Sequence, residues 1–92
     1  MNIRYTRRAA RQLDTILAYI AARSPQGAGH FLDRLDATVA ILAEQPHSGQ
    51  ITNRPGYRRL VLNPYPYVIF YRATSAEIII YGIRHAARRP LR

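Results

Sequence analysis

Asn63-Pro64-Tyr65-Pro66-Tyr67-Val68-Ile69-Phe70-Tyr71-Arg72 is the stretch on which the reading of this chain turns. Two prolines within three residues mark a turn. The run from Tyr67 to Arg72 is rich in aromatic and β-branched residues and reads as a strand. A strand with one buried face alternates apolar and polar residues. This one does not: Ile69 and Tyr71 fall on one face, Val68 and Phe70 on the other. After the short turn Ala73-Thr74-Ser75-Ala76 comes a second such run, Glu77-Ile78-Ile79-Ile80-Tyr81-Gly82-Ile83, followed by Arg84-His85. There Ile78 and Ile80 alternate with Ile79, Tyr81 and Ile83. Two adjacent strands that are apolar on both faces predict a sheet covered on both sides. A chain of 92 residues has little material for both covers, so part of one is expected from a protein partner.

Working outward, Tyr57 to Leu62 reads as the preceding strand. Pro46-His47-Ser48-Gly49 through Asn53-Arg54-Pro55-Gly56 reads as a loop by its breakers. Ahead of it, Ala28, Phe31, Leu32, Leu35, Val39 and Leu42 recur at helical spacing, with Ser24-Pro25 as cap and first helical residue and Gln45-Pro46 as the end. A first helix carries Ala9, Leu13, Ile16, Leu17 and Ile20, with Thr6 as its cap and a break at Ala22-Arg23. So short a connection predicts an antiparallel helical hairpin. Ile3 to Tyr5 is a short opening strand. The order is β-α-α-β-β-β: a short strand, an antiparallel helical hairpin and a three-stranded antiparallel meander. The expectation is a single α+β domain over residues 1–92, with the helices on one sheet face. Ala86 to Arg92 is a basic tail.

Composition narrows the function classes. There is no cysteine, so disulfides and thiolate metal sites are excluded. Nor does the chain hold a run of about 18 apolar residues, so no membrane span is expected. Its first residues lack the apolar segment of a signal peptide, and a cytoplasmic location is expected. Fourteen basic residues face five acidic ones, for a formal charge of +9, and every one of the fourteen is arginine. Arginine is a planar fork suited to phosphate and carboxylate, and it stacks on aromatic rings. An anionic partner follows from such a surface. Arg7, Arg8 and Arg11 crowd the start of the first helix, where each cation opposes the helix dipole by roughly 0.3–1 kcal/mol. Helix stability does not explain them.

Metal ligation is not expected, since His30 with Asp33 is no more than a chance pair, and no cofactor is called for. His30 and His47 have no chemical company, whereas His85 stands in a strand context beside Arg84. Most of the seven tyrosines sit in strands, where aromatics are favoured. Tyr65, between two prolines, is the expected exposed aromatic contact. Arg58, Arg59, Arg84 and His85, with Tyr81 nearby, are expected to converge on one edge of the sheet.

This ordered set of landmarks resembles the RelE/ParE superfamily of toxins from type II toxin–antitoxin modules, closest to the ParE branch. The resemblance rests on Ala9-Ala10-Arg11-Gln12-Leu13-Asp14 through Tyr19-Ile20, on Pro46-His47-Ser48-Gly49, and on Tyr57-Arg58-Arg59-Leu60. It rests equally on Tyr67 to Arg72 and on the Ile83-Arg84-His85 ending. It implies a toxin neutralised by a small antitoxin, ParD-like or related, that wraps it and carries operator DNA binding. It further implies one of two targets: mRNA on the ribosome for RelE-like members, DNA gyrase for ParE-like ones.

Metal-free RNA cleavage needs a base for the 2′-hydroxyl, a cation for the phosphate and an acid for the leaving oxygen. RelE-like toxins usually carry an arginine directly after the tyrosine of the third strand. Here that position is Val68, so the resemblance favours ParE-type binding of gyrase, with no catalytic residue expected. The target-binding set is then Arg84, His85, Arg88, Arg89 and Tyr65. The antitoxin-binding set is Leu60, Leu62, Val68 and Phe70 with Arg58 and Arg72. The alternative is a ribosome-dependent ribonuclease using Arg59, Arg84, His85 and Tyr81. A further alternative is a basic nucleic-acid-binding module whose binding falls steeply with salt.

Overall fold

The computed structural model describes residues 1–87. Strand β1 (Asn2–Tyr5) leads into helix α1 (Arg7–Arg23), helix α2 (Pro25–Glu44), and strands β2 (Gln50–Ile51), β3 (Tyr57–Val61), β4 (Tyr67–Ala73) and β5 (Glu77–His85). The α+β class and the helical hairpin stand as expected. No helix among the described residues is long and apolar enough to cross a membrane.

Local chemistry sets the helix ends. The Thr6 hydroxyl accepts from the Ala9 N–H at 3.1 Å and starts α1. Ser24 does two jobs at once. Its N–H donates to the Ile20 carbonyl at the end of α1, and its Oγ accepts from the Gly27 N–H at 3.0 Å to open α2. The break expected at Ala22-Arg23 is therefore one residue later and one residue long; Ala22 and Arg23 remain helical because nothing interrupts their hydrogen bonds. Inward-facing Ala9 and Ile16 of α1, and Phe31, Leu35, Val39 and Leu42 of α2, are buried against the sheet. Each such large apolar side chain contributes roughly 1.5–3 kcal/mol by leaving water. Phe31 anchors the far end, edge-on to Tyr65 at 5.1 Å and to Tyr67 at 5.5 Å between centroids.

The sheet order is β1-β5-β4-β3-β2. The meander β3-β4-β5 is antiparallel as expected. Two features are additions. The segment read as a loop from Pro46 to Gly56 contains β2, whose Gln50 and Ile51 pair with Arg59 and Arg58. The opening strand runs parallel to the last, with Ile3 opposite Ile78 and Tyr5 opposite Ile80.

A third feature corrects the face assignment. Along β4 and β5, Phe70 pairs with Gly82 but Tyr71 pairs with Ile80, so Tyr81 is an extra residue at a bulge. The bulge reverses the alternation. Ile83 therefore joins Ile78 and Ile80 in the helix-covered core, with 1% of its surface exposed, rather than facing away from them. The Ile83 N–H donates to Oε1 of Gln12 at 2.9 Å, tying α1 to β5 just beyond the bulge.

The face away from the helices carries Val68, Phe70 and Arg72 of β4, Tyr57, Arg59 and Val61 of β3, and Tyr81, Gly82 and Arg84 of β5. This second apolar face is not bare. Arg84 lies over the Phe70 ring at 4.7 Å from its centroid. Tyr57 and Tyr81 stack at 4.7 Å and 16°, and Arg54 lies over Tyr57 at 4.0 Å. Guanidinium planes and phenol rings thus roof part of the sheet that the helices do not reach.

Candidate functional site

The roofed face forms a pocket of about 620 Å³. Phe70, Tyr57 and Tyr81 make its floor. Arg8 from the first turn of α1, Arg54 from the loop after β2, and Arg84 from β5 stand around it. The sequence reading missed Arg8 and Arg54 as partners of Arg84; only the fold brings their three elements together. The pairing of Arg8 with this pocket also gives a reason for a cation where the helix dipole disfavours one. Among the described residues the single carboxylate–guanidinium pair is Arg4 with Glu77 at 3.1 Å, on the edge strand. Among the described residues no carboxylate pairs with the three pocket arginines.

The expected convergence of Arg58, Arg59, Arg84, His85 and Tyr81 is only half realised. Register places Arg59, Tyr81 and Arg84 on the roofed face. Arg58 falls on the opposite face, where its Nη1 donates to the Gly49 carbonyl at 2.9 Å and the His47 carbonyl at 3.3 Å. That ties it to the turn before β2. His85 also lies on the helix side, edge-on to Tyr67 at 5.2 Å, and its Nδ1 accepts from the Ala87 N–H at 3.1 Å. Alternation along a strand forces this split, since Arg58 and Arg59, like Arg84 and His85, are neighbours in sequence. On the roofed face, Nε of Arg59 and the hydroxyl of Tyr81 are both shut from solvent and have no hydrogen-bond partner among the described residues.

The docking set is likewise divided. Leu62 is fully buried and Leu60 packs against the helix-covered core, so neither offers a surface on the far face. Val68, 2% exposed, lies on that face but under cover. Phe70 sits beneath Arg84, and Arg72 is exposed. Arg88 and Arg89 lie outside the described residues.

A second, larger cleft of about 1000 Å³ opens between α1 and the ends of the strands. Ile16, Ile20, Tyr65 and Ile83 give it an apolar floor, and Arg8, Arg11, Arg84 and His85 edge it. Tyr65 is half-buried here against Phe31 rather than standing free.

The chemistry the roofed face presents to solvent is fixed charge, because the hydroxyl of its phenol Tyr81 is shut from solvent. Arginine stays protonated at any working pH and cannot serve as a base. The imidazole of His85 is on the other side of the sheet. What the described face offers is several fixed cations over aromatic rings, a surface built to bind anionic groups.

A two-helix hairpin covers one face of the five-stranded sheet, and arginines ring the other. The chain belongs to the ParE toxin family of type II toxin–antitoxin systems, parDE, whose family model matches residues 3–90. It is 42% identical over 85 residues to the candidate toxin Y4kP of Sinorhizobium fredii, covering 92% of this chain and 88% of that one. To the toxin RelE2 of Caulobacter vibrioides it is 39% identical over 84 residues, covering 91% and 93%. Among solved structures, the chromosomal ParDE toxin–antitoxin system of P. aeruginosa superposes with a TM-score of 0.78 at 27% identity, covering 92% of this chain and 95% of that one. The intact E. coli RelBE toxin–antitoxin complex gives 0.67 at 12% identity, covering 95% and 98%, a likeness of fold alone.

Proposed function

We propose that this toxin arrests its target by binding it, that the target is DNA gyrase, and that an antitoxin made beside it holds it silent. The observation that carries the reading is the composition of the arginine-ringed face. Arg8, Arg54 and Arg84 are present there and His85 is turned to the other side, and by the resemblance Val68 stands where RelE-like toxins usually carry an arginine. Such a face holds anionic groups in place and has no group poised to shuttle their protons. The match to the ParE family and the likeness to the ParDE system of P. aeruginosa support the same branch. The ParDE structure is that of a toxin–antitoxin system, which together with the family match supports an antitoxin as the resident partner of this chain.

The deciding experiment is a gyrase supercoiling assay with the chain freed of its antitoxin. Inhibition, or trapped cleaved DNA, reversed by adding antitoxin back is the expected result. Full supercoiling activity in the presence of a folded, antitoxin-competent sample overturns the target.

One observation favours a second reading. The Tyr81 phenol shares the roofed face with Arg59 and Arg84, and once its covered hydroxyl is opened to substrate, a tyrosine beside arginines is a minimal set for cleaving RNA next to a 2′-hydroxyl. The relative RelE2 carries the name of the other branch. Mapping mRNA 5′ ends soon after induction separates the two. New codon-proximal ends that vanish in Tyr81→Phe support cleavage, and an unchanged profile during arrest removes it.

A further inference from the structure

The pocket on the roofed face gathers more positive charge than a singly charged group needs. Arg8, Arg54 and Arg84 reach it from three different parts of the chain, and none is paired with a carboxylate among the described residues. At Thr6 the pocket also meets the N-terminal turn of α1, which holds no acid to offset the positive end of the helix. A phosphodiester within a strand brings one negative charge per nucleotide. A terminal phosphate carries about two, and a polyphosphate chain more. Three cations around a single pocket match the denser anion.

The rest of the lining suits a flat ring with hydrogen-bonding edges. Tyr57 and Tyr81 stack at 4.7 Å, Arg54 lies over Tyr57 at 4.0 Å and Arg84 over Phe70 at 4.7 Å. Phenol rings and guanidinium planes are surfaces on which nucleobases stack. A guanidinium can also stack with its face while its edge donates to phosphate. The side-chain amides of Gln12 and Asn53 line the same pocket. Gln12 Oε1 is held by the Ile83 N–H at 2.9 Å, which leaves the amide's NH2 to donate.

The loop that carries Asn53 and Arg54 is fastened before any ligand arrives. The Thr52 hydroxyl accepts from the Arg54 N–H at 3.1 Å and donates to the Tyr57 carbonyl at 2.8 Å. The Tyr57 N–H donates to the Arg54 carbonyl at 3.1 Å. Little ordering remains to oppose binding. The volume of about 620 Å³ lies within the range of small-molecule sites.

We propose that this pocket binds a free nucleoside polyphosphate, its phosphates on Arg8, Arg54 and Arg84 and its base laid against the arginine–phenol stack. An acidic peptide offers less charge at one point and no flat base. The site stands apart from the choice of target.

Calorimetric titration of the full chain, freed of its antitoxin, with ATP as the probe tests it. ATP should bind, AMP roughly tenfold or more weaker for want of phosphates, and inorganic tripolyphosphate weaker for want of a base. Arg54→Ala and Arg84→Ala should each weaken ATP binding roughly tenfold, the worth of a charge-assisted hydrogen bond. Arg23→Ala should leave it unchanged, because that guanidinium lies over Tyr19 and outside the pocket. In the isotope-labelled unaltered chain, ATP should shift the amide resonances of Gln12, Asn53 and Gly82 and leave those of Gly29 and Ile41 in place. That spectrum decides the matter even where a variant fails to fold.

Absence of ATP binding overturns the proposal. So does AMP or tripolyphosphate that binds as tightly as ATP, or Arg23→Ala that costs as much as Arg54→Ala. A thymidine oligonucleotide without terminal phosphate that displaces ATP at lower concentration also overturns it, in favour of a strand. A chain that binds ATP and leaves gyrase untouched keeps the pocket and loses the target. One that inhibits gyrase and ignores ATP loses the pocket alone.

Discussion

The hydroxyl of Tyr71 accepts a hydrogen bond from the backbone N–H of Gly49 at 2.9 Å, inside the core and 22 positions away in sequence. The same hydroxyl donates to the Pro46 carbonyl at 2.8 Å. One phenol at the centre of β4 therefore holds both ends of the Pro46-His47-Ser48-Gly49 turn. That turn delivers the chain from α2 to β2, and onward to Arg54 at the pocket.

Replacing Tyr71 by Phe removes both bonds and strands a buried N–H. The expected loss is about 1–3 kcal/mol, the range for leaving a buried donor unsatisfied. Thermal unfolding of the purified chain should show it as a fall of several degrees in Tm. Arg54 hangs on the segment that this turn positions, so antitoxin-free toxicity should fall with it.

Gly49 has no room for a methyl group. A Cβ there would stand 2.6 Å from the Tyr71 hydroxyl and 2.8 Å from the Arg59 carbonyl oxygen. The second contact is to backbone, which cannot swing aside. Gly49→Ala should cost about 1–3 kcal/mol by overpacking. Tyr71→Phe in the same chain should relieve only part of that, because the Arg59 carbonyl remains. Urea unfolding midpoints of the single and double variants measure both.

Thr6→Ala and Ser24→Ala each remove a helix cap and should each cost about 1 kcal/mol. They sit at opposite ends of α1, about 25 Å apart at 1.5 Å per residue. The losses should therefore add in the double variant. A double loss well above the sum would mean that the hairpin opens as a unit once both ends are loosened.

The Arg4–Glu77 pair predicts a small acid-side dependence. Its hydrogen bond and charge from Arg4 hold the Glu77 carboxyl below its ordinary value of 4.5. A carboxyl with a lowered folded value adds stability above its unfolded value and loses it as pH falls through the folded one. Stability of the unaltered chain should thus drop somewhat more than that of Glu77→Gln as pH falls from about 4.5 downward. The two should run in parallel at neutral pH and draw together in high salt, because the pair is solvent-exposed. Unfolding midpoints at several pH values give the comparison.

Val68→Arg restores the cation of the other branch and should not restore its chemistry. Val68 is 2% exposed and pairs across the sheet with Arg84, so the new charge is buried beside a like charge. A cost of roughly 2–4 kcal/mol is expected. No mRNA cleavage should appear, because the added arginine supplies charge and not a proton carrier.

Features fixed by neighbouring residues were legible in the sequence. Thr6, Ser24-Pro25 and the apolar stripes of both helices announced the hairpin, because capping and 3.6-residue periodicity are local. The runs from Tyr57, Tyr67 and Glu77 announced the meander. What escaped depends on distant pairing. A two-residue strand has no periodicity to read, so in the sequence β2 reads as loop. The bulge at Tyr81 comes from how β5 meets β4, and it moved Ile83 to the opposite face. The site was legible in its residue types and less so in its grouping. Arg84 was named, but Arg8 and Arg54 joined it only through the fold. Arg58 and His85 left it because adjacent residues of a strand point apart. The roof over the second face was invisible because guanidinium stacking leaves no spacing signature.

The pairing of β1 with β5 sets an order of events for the folding chain. Ile3 finds its partner in Ile78, and Tyr5 in Ile80. β1, made before both helices, waits for β5, made after β4. Helices can form and lean together in the interval, but β1 has no other neighbour in the sheet. Closing so long a loop is a late and slow step in assembly. An interrupted message therefore yields a chain that cannot close its sheet. Tyr81 and Arg84 lie on β5 too, so the arginine-ringed face exists only in polypeptides that have been read through that strand.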